Sequence, residues 1–193
     1  ADKTAVFVGD TLSDIEAAKA NNIPSIAAAY GYGNVDDLMH STFIAYTTEE
    51  ILGYISQLNV FFKITENLIY NGKRIIGING VDTSGKTKFT DNYSRFLSDI
   101  GVKNTVLHID DYHNPVEIRR QGGNENDAYY FNAINYDQII DEILKPLRET
   151  GIVDKDVLCL NLDTDTYENI IHYYGVRQFA IYPNMEILLW IST

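Results

Sequence analysis

The sequence predicts an α/β protein with parallel sheets, laid out as two successive units. Three observations carry this. Short apolar runs alternate with stretches of helical spacing in both halves of the chain. The strand-like runs end in Gly-Asp or Gly-rich turns, as in "VFVGD" and "IIGINGVD". A break falls near residues 57–72, where a near-helical stretch stops at Asn71-Gly72.

The elements of the first unit follow in order. "TAVFVG" at 4–9 reads as a buried parallel strand. Asp14 to Asn22 reads as a helix with small apolar contacts at Ile15, Ala18 and Ala20, and Pro24 lies past its end. "SIAAAY" is a second strand and "GYG" a loop. "VDDLMH" is a short helix, "TFIAY" a third strand, and "TTEEILGYISQL" a helix capped by Thr47 or Thr48. Its first turn holds Glu49 and Glu50, where the helix dipole favours acids. These boundaries give a first unit at 1–57, a linker helix at 58–72 with Phe61, Ile64, Leu68 and Ile69 on one face, and a second unit at 73–193.

The second unit opens on the strand "RIIGING", then a Gly-rich loop and a helix from about Lys86 to Ile100. "TVLHID" is the next strand. A polar loop runs through "RRQGGNEND", and "YDQIIDEILKPLRE" is a helix. Beyond Asp154, "DVLCLNL" and "EILLWI" read as strands with a mixed segment between them. The apolar run "EILLWI" suits either a paired strand or a partner surface.

Composition bounds the function classes. The chain has 193 residues, 45% hydrophobic and 22% charged, the profile of a globular protein. The net charge of -12 argues against a nucleic-acid surface, because phosphate backbones reward Lys and Arg. It leaves room for a nucleotide held by backbone amides and one lysine, with Mg2+ offsetting charge. No run of 18 apolar residues is present, so no membrane span is expected. The start, Ala1-Asp-Lys-Thr, has neither Met nor a charged-then-apolar signal segment, so a natural start upstream is an expectation. A single cysteine, Cys159, excludes an internal disulfide and fits a reduced cytoplasmic setting. In "VLCLNL" it reads as a small core residue. Fourteen tyrosines suit a core or an interface equally, so homo-oligomerisation stays open.

Chemistry enters at Gly80-x4-Gly85-Lys86-Thr87, the Walker A pattern. Glycines let the loop curl so that consecutive N–H groups meet phosphate oxygens. The helix starting at Lys86 adds its positive end. Candidate nucleotide contacts are Gly80, Asp82, Ser84, Gly85, Lys86 and Thr87. Lys86 would reach the β- and γ-phosphates, and the Thr87 hydroxyl would meet Mg2+. No Asn-Lys-x-Asp reads guanine, which argues against a GTPase. At the end of the next strand, "HIDDYH" places Asp110 where a carboxylate can take the proton of an attacking hydroxyl. Asp111 is left open as the base or a Mg2+ partner, and Arg119 and Arg120 as phosphate contacts or a solvated pair.

"GINGVDTSGKT", "HIDDYHNP" and "RRQGG...DAYYFNAINYDQIIDEILKPL" resemble the uridine kinase family and its nucleoside-kinase relatives, over about residues 73–147. The resemblance implies a P-loop NTPase fold, ATP and Mg2+ as cofactors, and a small nucleoside-like substrate. It implies Asp110 as catalytic acid with Lys86, and Asp111, Tyr112 and His113 as acceptor contacts. Asn135 to Asp137, "NYD", resembles the segment opening the next helix beside the acceptor pocket. The family's further central strand with an acidic end, and its Arg-bearing lid, are not found in "ENIIHYYGVRQFAIYPNMEILLWIST", where Arg177 is the lone arginine.

"VFVGDTLSDIEAAKANNIPSIAAAYGYG" resembles the last segment of haloacid dehalogenase phosphatases of the phosphoglycolate-phosphatase-like branch. This implies a partial Rossmann-like unit, with Asp10 and Asp14 as Mg2+ ligands. The Asp-x-Asp nucleophile of that superfamily is absent from 1–57, and Asp163-x-Asp165 lies in the other unit. Both units therefore read as truncated. Three readings follow: an ATP-dependent nucleoside kinase, a nucleotide-binding fragment without turnover, and a phosphatase completed by another chain.

Overall fold

The computed structural model describes residues 5–73, 75–81, 83–122, 131–176 and 186–191, with Val176 and 186–191 traced by backbone alone. Packing divides the chain into two compact units. One comprises Ala1–Arg74 with Thr87–Lys103, the other Ile75–Lys86 with Asn104–Thr193. The protein is mixed α/β, as the alternation predicts.

The first unit contains β1 (Phe7–Gly9), α1 (Leu12–Ala20), β2 (Ser25–Ala28), α2 (Val35–Leu38), β3 (Phe43–Ala45) and α3 (Thr48–Tyr70). The three strands pair in sequence order and in parallel, with Phe7 opposite Ser25 and Ile26 opposite Phe43. β2 is central and buried at every position, which is why "SIAA" reads as a continuous run without polar alternation. Ile15, Ala27 and Leu38 form the small core beside this sheet.

Thr47 caps α3, its hydroxyl accepting from the Glu50 amide at 3.4 Å. The Glu50 carboxylate accepts from the Tyr46 amide at 2.6 Å. The capped helix and the stretch 58–72 form one continuous helix of 23 residues. No breaker interrupts Leu58, Phe61, Phe62 and Thr65, whose side chains are buried in its second half. Gly72, at φ +62, follows its end.

The helix α4 (Lys86–Asp99) packs its body in this same unit. Phe61 meets Phe89 edge-on at 5.4 Å and Phe96 at 5.5 Å, while Thr65 and Tyr93 share a 2.9 Å hydroxyl hydrogen bond. Burying one such ring stabilises by about 1.5–3 kcal/mol. A buried polar row lies nearby. The Ser25 amide donates to the Thr42 hydroxyl, which donates to the Asp99 carboxylate.

The second unit holds β4 (Ile75–Ile78), β5 (Lys103–His108), a 3-10 turn (Ile109–Tyr112) and α5 (Val116–Arg119). α6 (Tyr136–Ile139) runs through a π-helical segment (Ile140–Leu144) into α7 (Lys145–Glu149). Pro146 has no amide to donate back, which accounts for the altered register before it. β6 (Ile152–Asn161), β7 (Thr166–Val176) and β8 (Glu186–Ile191) complete the chain.

β8 lies between β4 and β5 and is parallel to β4, with Ile75 opposite Leu188 and Ile78 opposite Ile191. "EILLWI" is therefore a paired strand at the centre of its sheet, where the sequence alone showed no further central strand.

The expectation of parallel sheets throughout needs one correction. β6 and β7 form an antiparallel hairpin, with Ile152 opposite Val176 and Asn161 opposite Thr166. The "mixed" segment is β7 itself. The turn closes through Asp165 in the left-handed region, φ +54, a conformation Asp tolerates better than most residues. One hairpin face packs on a core built from Leu107, Ile109, Ile139, Ile143, Val157 and Tyr173. No helix among the described residues is long and apolar enough to cross a membrane.

Candidate functional site

The phosphate-loop candidate lies at the C-terminal end of β4, and α4 starts at Lys86, as the pattern requires. The Gly80 amide donates to Asn79 Oδ1 at 2.8 Å, and the Ser84 amide donates to the Val81 carbonyl at 3.2 Å. Gly85 sits at φ +86, where a side chain would be strained. Thr83, at φ +63, is a β-branched residue in the same left-handed region, so the loop stores backbone strain. A Cβ on Gly80 would stand 3.0 Å from Ser84 Oγ, so a larger residue there requires the Ser84 hydroxyl to shift.

Lys86 folds back over the loop. Its Nζ donates to the Gly80 carbonyl at 2.6 Å and the Val81 carbonyl at 3.0 Å. The ammonium thus lies across the curl that the pattern assigns to phosphates. Thr87 is exposed in the first turn of α4, open to an oxygen-seeking cation. Gly80, Ser84 and Lys86 are brought together; Asp82 lies outside the described residues.

The acid turn follows β5. Asp110 is exposed, while Asp111 is half-buried and its Oδ2 accepts from the Tyr173 hydroxyl at 3.3 Å. Burial pushes the Asp111 carboxyl above its ordinary value, with His108 and the Tyr173 hydrogen bond opposing. His113 is nearly buried, and its Nδ1 lies 2.6 Å from the Asp110 carbonyl, which assigns the proton to Nδ1. That bond closes the turn carrying both acids. The turn is also tied to the segment before α6. The Asn114 amide donates to the Ala133 carbonyl at 2.9 Å and the Asn135 amide to the Tyr112 carbonyl at 2.8 Å. Asn135 then caps α6, accepting from the Gln138 amide at 3.1 Å.

Tyr112, expected beside an acceptor, is instead a core residue, 1% exposed among Ile139, Ile143 and Tyr173. Arg119 pairs with Asp165 at 3.3 Å, so one of the two arginines has an internal carboxylate partner. Arg177 lies outside the described residues. Cys159 is buried, and burial pushes its thiol up to about 11, which suits a packing role.

In the first unit, Asp10 and Asp14 do meet at the end of β1. Asp14 Oδ2 accepts from the Asp10 amide (3.1 Å), the Thr11 amide (3.1 Å) and the Thr11 hydroxyl (2.7 Å). The Thr11 hydroxyl, its amide and the Asp10 amide hold the Asp14 carboxyl below the usual range. Asp10 Oδ2 accepts from the Tyr32 amide at 2.9 Å. It is the Asp10 amide, not its carboxylate, that touches Asp14, and one oxygen of each carboxylate is already engaged by N–H or O–H donors. No cluster of three or more metal-ligating side chains occurs among the described residues.

Two residues escaped the sequence reading. Tyr173 is one of fourteen tyrosines, and only the alternation of β7 marks it as inward-facing. Asp165 stood out only as half of an Asp-x-Asp in the other unit; its cap on α5 carries no local signal.

No protein-family model matches the chain, and no curated protein matches it. Among solved structures, it is similar to a possible uridine kinase from Bacillus stearothermophilus, with 21% identity and a TM-score of 0.46. The match covers 61% of this chain and 59% of that one.

Proposed function

We propose that the chain carries the nucleotide-binding part of an ATP- and Mg2+-dependent phosphotransferase whose acceptor is a small hydroxyl compound of the uridine-like nucleoside kind. The observation that supports it most is the loop Gly80–Lys86. It has the Walker A residues at the end of a strand, a left-handed Gly85, a helix starting at Lys86, and the Lys86 ammonium drawn across the loop. In this reading the Lys86 ammonium leaves the Gly80 and Val81 carbonyls for the β- and γ-phosphate oxygens. The amides of the loop hold those oxygens, and Thr87 offers its hydroxyl to the metal. Bound Mg2+ would neutralise charge building on the phosphates. Asp110, exposed at the end of β5, takes the acceptor's hydroxyl proton as that oxygen bonds to the γ-phosphorus and the bond to the β-phosphate oxygen breaks.

A second reading, nucleotide binding without turnover, is favoured by the burial of Tyr112, which takes the acceptor-side aromatic out of reach. For the first unit we propose descent from a haloacid dehalogenase-type domain, with Asp10 and Asp14 as the remnant of its Mg2+ site. Support comes from their contact at the end of β1 and from the loop Tyr30–Asn34 packed on Asp10.

Transfer of labelled γ-phosphate from ATP to a panel of nucleosides, with Lys86→Ala and Asp110→Asn in parallel, tests the first reading against the second. Turnover lost in both variants supports the kinase. Binding of Mg-ATP with no transfer to any acceptor supports the second reading.

A further inference from the structure

We propose that Tyr173 is a positioning residue for the acid turn: its hydroxyl donates to Asp111 Oδ2 at 3.3 Å and fixes that carboxylate from the β7 side. The proposal rests on the reading of the acid turn as the acceptor side of the site, and it adds a residue that the motif does not contain.

The geometry favours a fixed role. Tyr173 is 3% exposed and is held within an eleven-residue strand, three residues from its end and paired opposite Lys155. A long hairpin on one side and the core on the other leave its ring little freedom. Asp111 stands in a four-residue turn closed by the His113–Asp110 hydrogen bond. Short turns alone fix a carboxylate poorly, because χ1 and χ2 stay free. A phenol donor from a rigid strand removes that freedom.

A second observation points the same way. The Tyr112 hydroxyl is buried and makes no hydrogen bond of ordinary geometry among the described residues, only a loose approach to Tyr173. Buried hydroxyls almost always find partners, so an orphan calls for an explanation. Its polar neighbour is Tyr173, whose ring centroid lies 6.2 Å away. A phenol has one proton to give and lone pairs to receive. With the Tyr173 proton committed to Asp111, its oxygen is the acceptor that a small rotation offers Tyr112. The row Tyr112, Tyr173, Asp111 then leads from the core to the turn. The other titratable groups around Asp111 are His108 on β5, Asp110 and His113 in the turn, and Cys159 on β6.

The variant Tyr173→Phe keeps the ring and deletes only the hydroxyl. In the full chain at neutral pH, the Asp111 Cγ resonance should move in carbon-detected NMR, and the Tyr112 Cζ resonance with it. An Asp111 Cγ resonance that stays in place overturns the proposal. Should Tyr173→Phe fail to fold, Asp111→Asn supplies the reverse test: the Tyr173 Cζ resonance must shift, and an unmoved one overturns the proposal equally. In the phosphotransfer assay, kcat should fall about ten- to a hundredfold with KM for ATP unchanged, the scale expected when a carboxylate that orients the acceptor beside the Asp110 base is misplaced. That loss should vanish in an Asp111→Asn background, where the hydroxyl has no carboxylate to orient. The resonances decide the Tyr173–Asp111 link whether or not the chain turns over, so its failure and that of the kinase reading are separable.

Discussion

The Asp165 carboxylate accepts the Val116 amide with both oxygens, at 2.9 and 3.1 Å. It thereby supplies the first turn of α5 with the acceptor that Pro115, at the N-cap position, lacks. The same carboxylate pairs with Arg119, whose Nε is buried without a hydrogen bond among the described residues. Asp165→Ala should therefore cost about 1–2 kcal/mol, the scale of a lost helix cap. Urea unfolding at neutral pH checks this, with the slope expected to stay constant and the midpoint to fall. A variant as stable as wild type would show that the tip of the β6–β7 hairpin needs no such anchor.

Gly33 packs directly on the backbone of Asp10. A Cβ there would stand 1.9 Å from the Asp10 carbonyl oxygen, so Gly33→Ala must displace backbone. The expected loss is about 1–3 kcal/mol, typical of overpacking. Gly53, inside α3, has nothing within 4 Å of a Cβ. Gly53→Ala should stabilise by about 0.5–1 kcal/mol through helix propensity. Opposite shifts of the thermal midpoint are predicted for the two substitutions.

Asp99, on α4, is a half-buried acid of the first unit. Burial raises its carboxyl above the ordinary value, with the Thr42 hydrogen bond, Lys19 and Arg95 opposing. A carboxylate raised in the native state binds its proton more tightly when folded. Its contribution is complete below the unfolded value, about 4, and is lost as pH rises through the native value. Asp99→Asn keeps an acceptor for the Thr42 hydroxyl and carries no charge. The midpoint difference, variant minus wild type, should therefore grow more positive as pH rises above about 4. A difference independent of pH would contradict this assignment.

Much of this was legible in the sequence because it was local. The caps of α3, the buried run of β2 and the placement of the Gly80–Thr87 loop between β4 and α4 each follow from neighbours along the chain. What escaped depends on partners far away. Tyr112 reads as a polar-tipped aromatic in a loop, and only the residues around Ile139 and Tyr173 make it core. β7 reads as mixed because its hydrophobic face needs β6 to define it, and "EILLWI" finds its place only beside β4. The acid turn was predictable as two adjacent carboxylates. Their difference, one exposed and one held by Tyr173, was not, since Tyr173 lies 62 residues away.

The central claim is that the Gly80–Thr87 loop binds a nucleoside triphosphate, and thermal unfolding with and without Mg-ATP tests it most directly. Ligand at about 100 times its dissociation constant stabilises the native state by about 2.7 kcal/mol. A shift of a few degrees in wild type is predicted, absent from Lys86→Ala and diminished by EDTA. No shift at millimolar Mg-ATP, or an equal shift in Lys86→Ala, would contradict it.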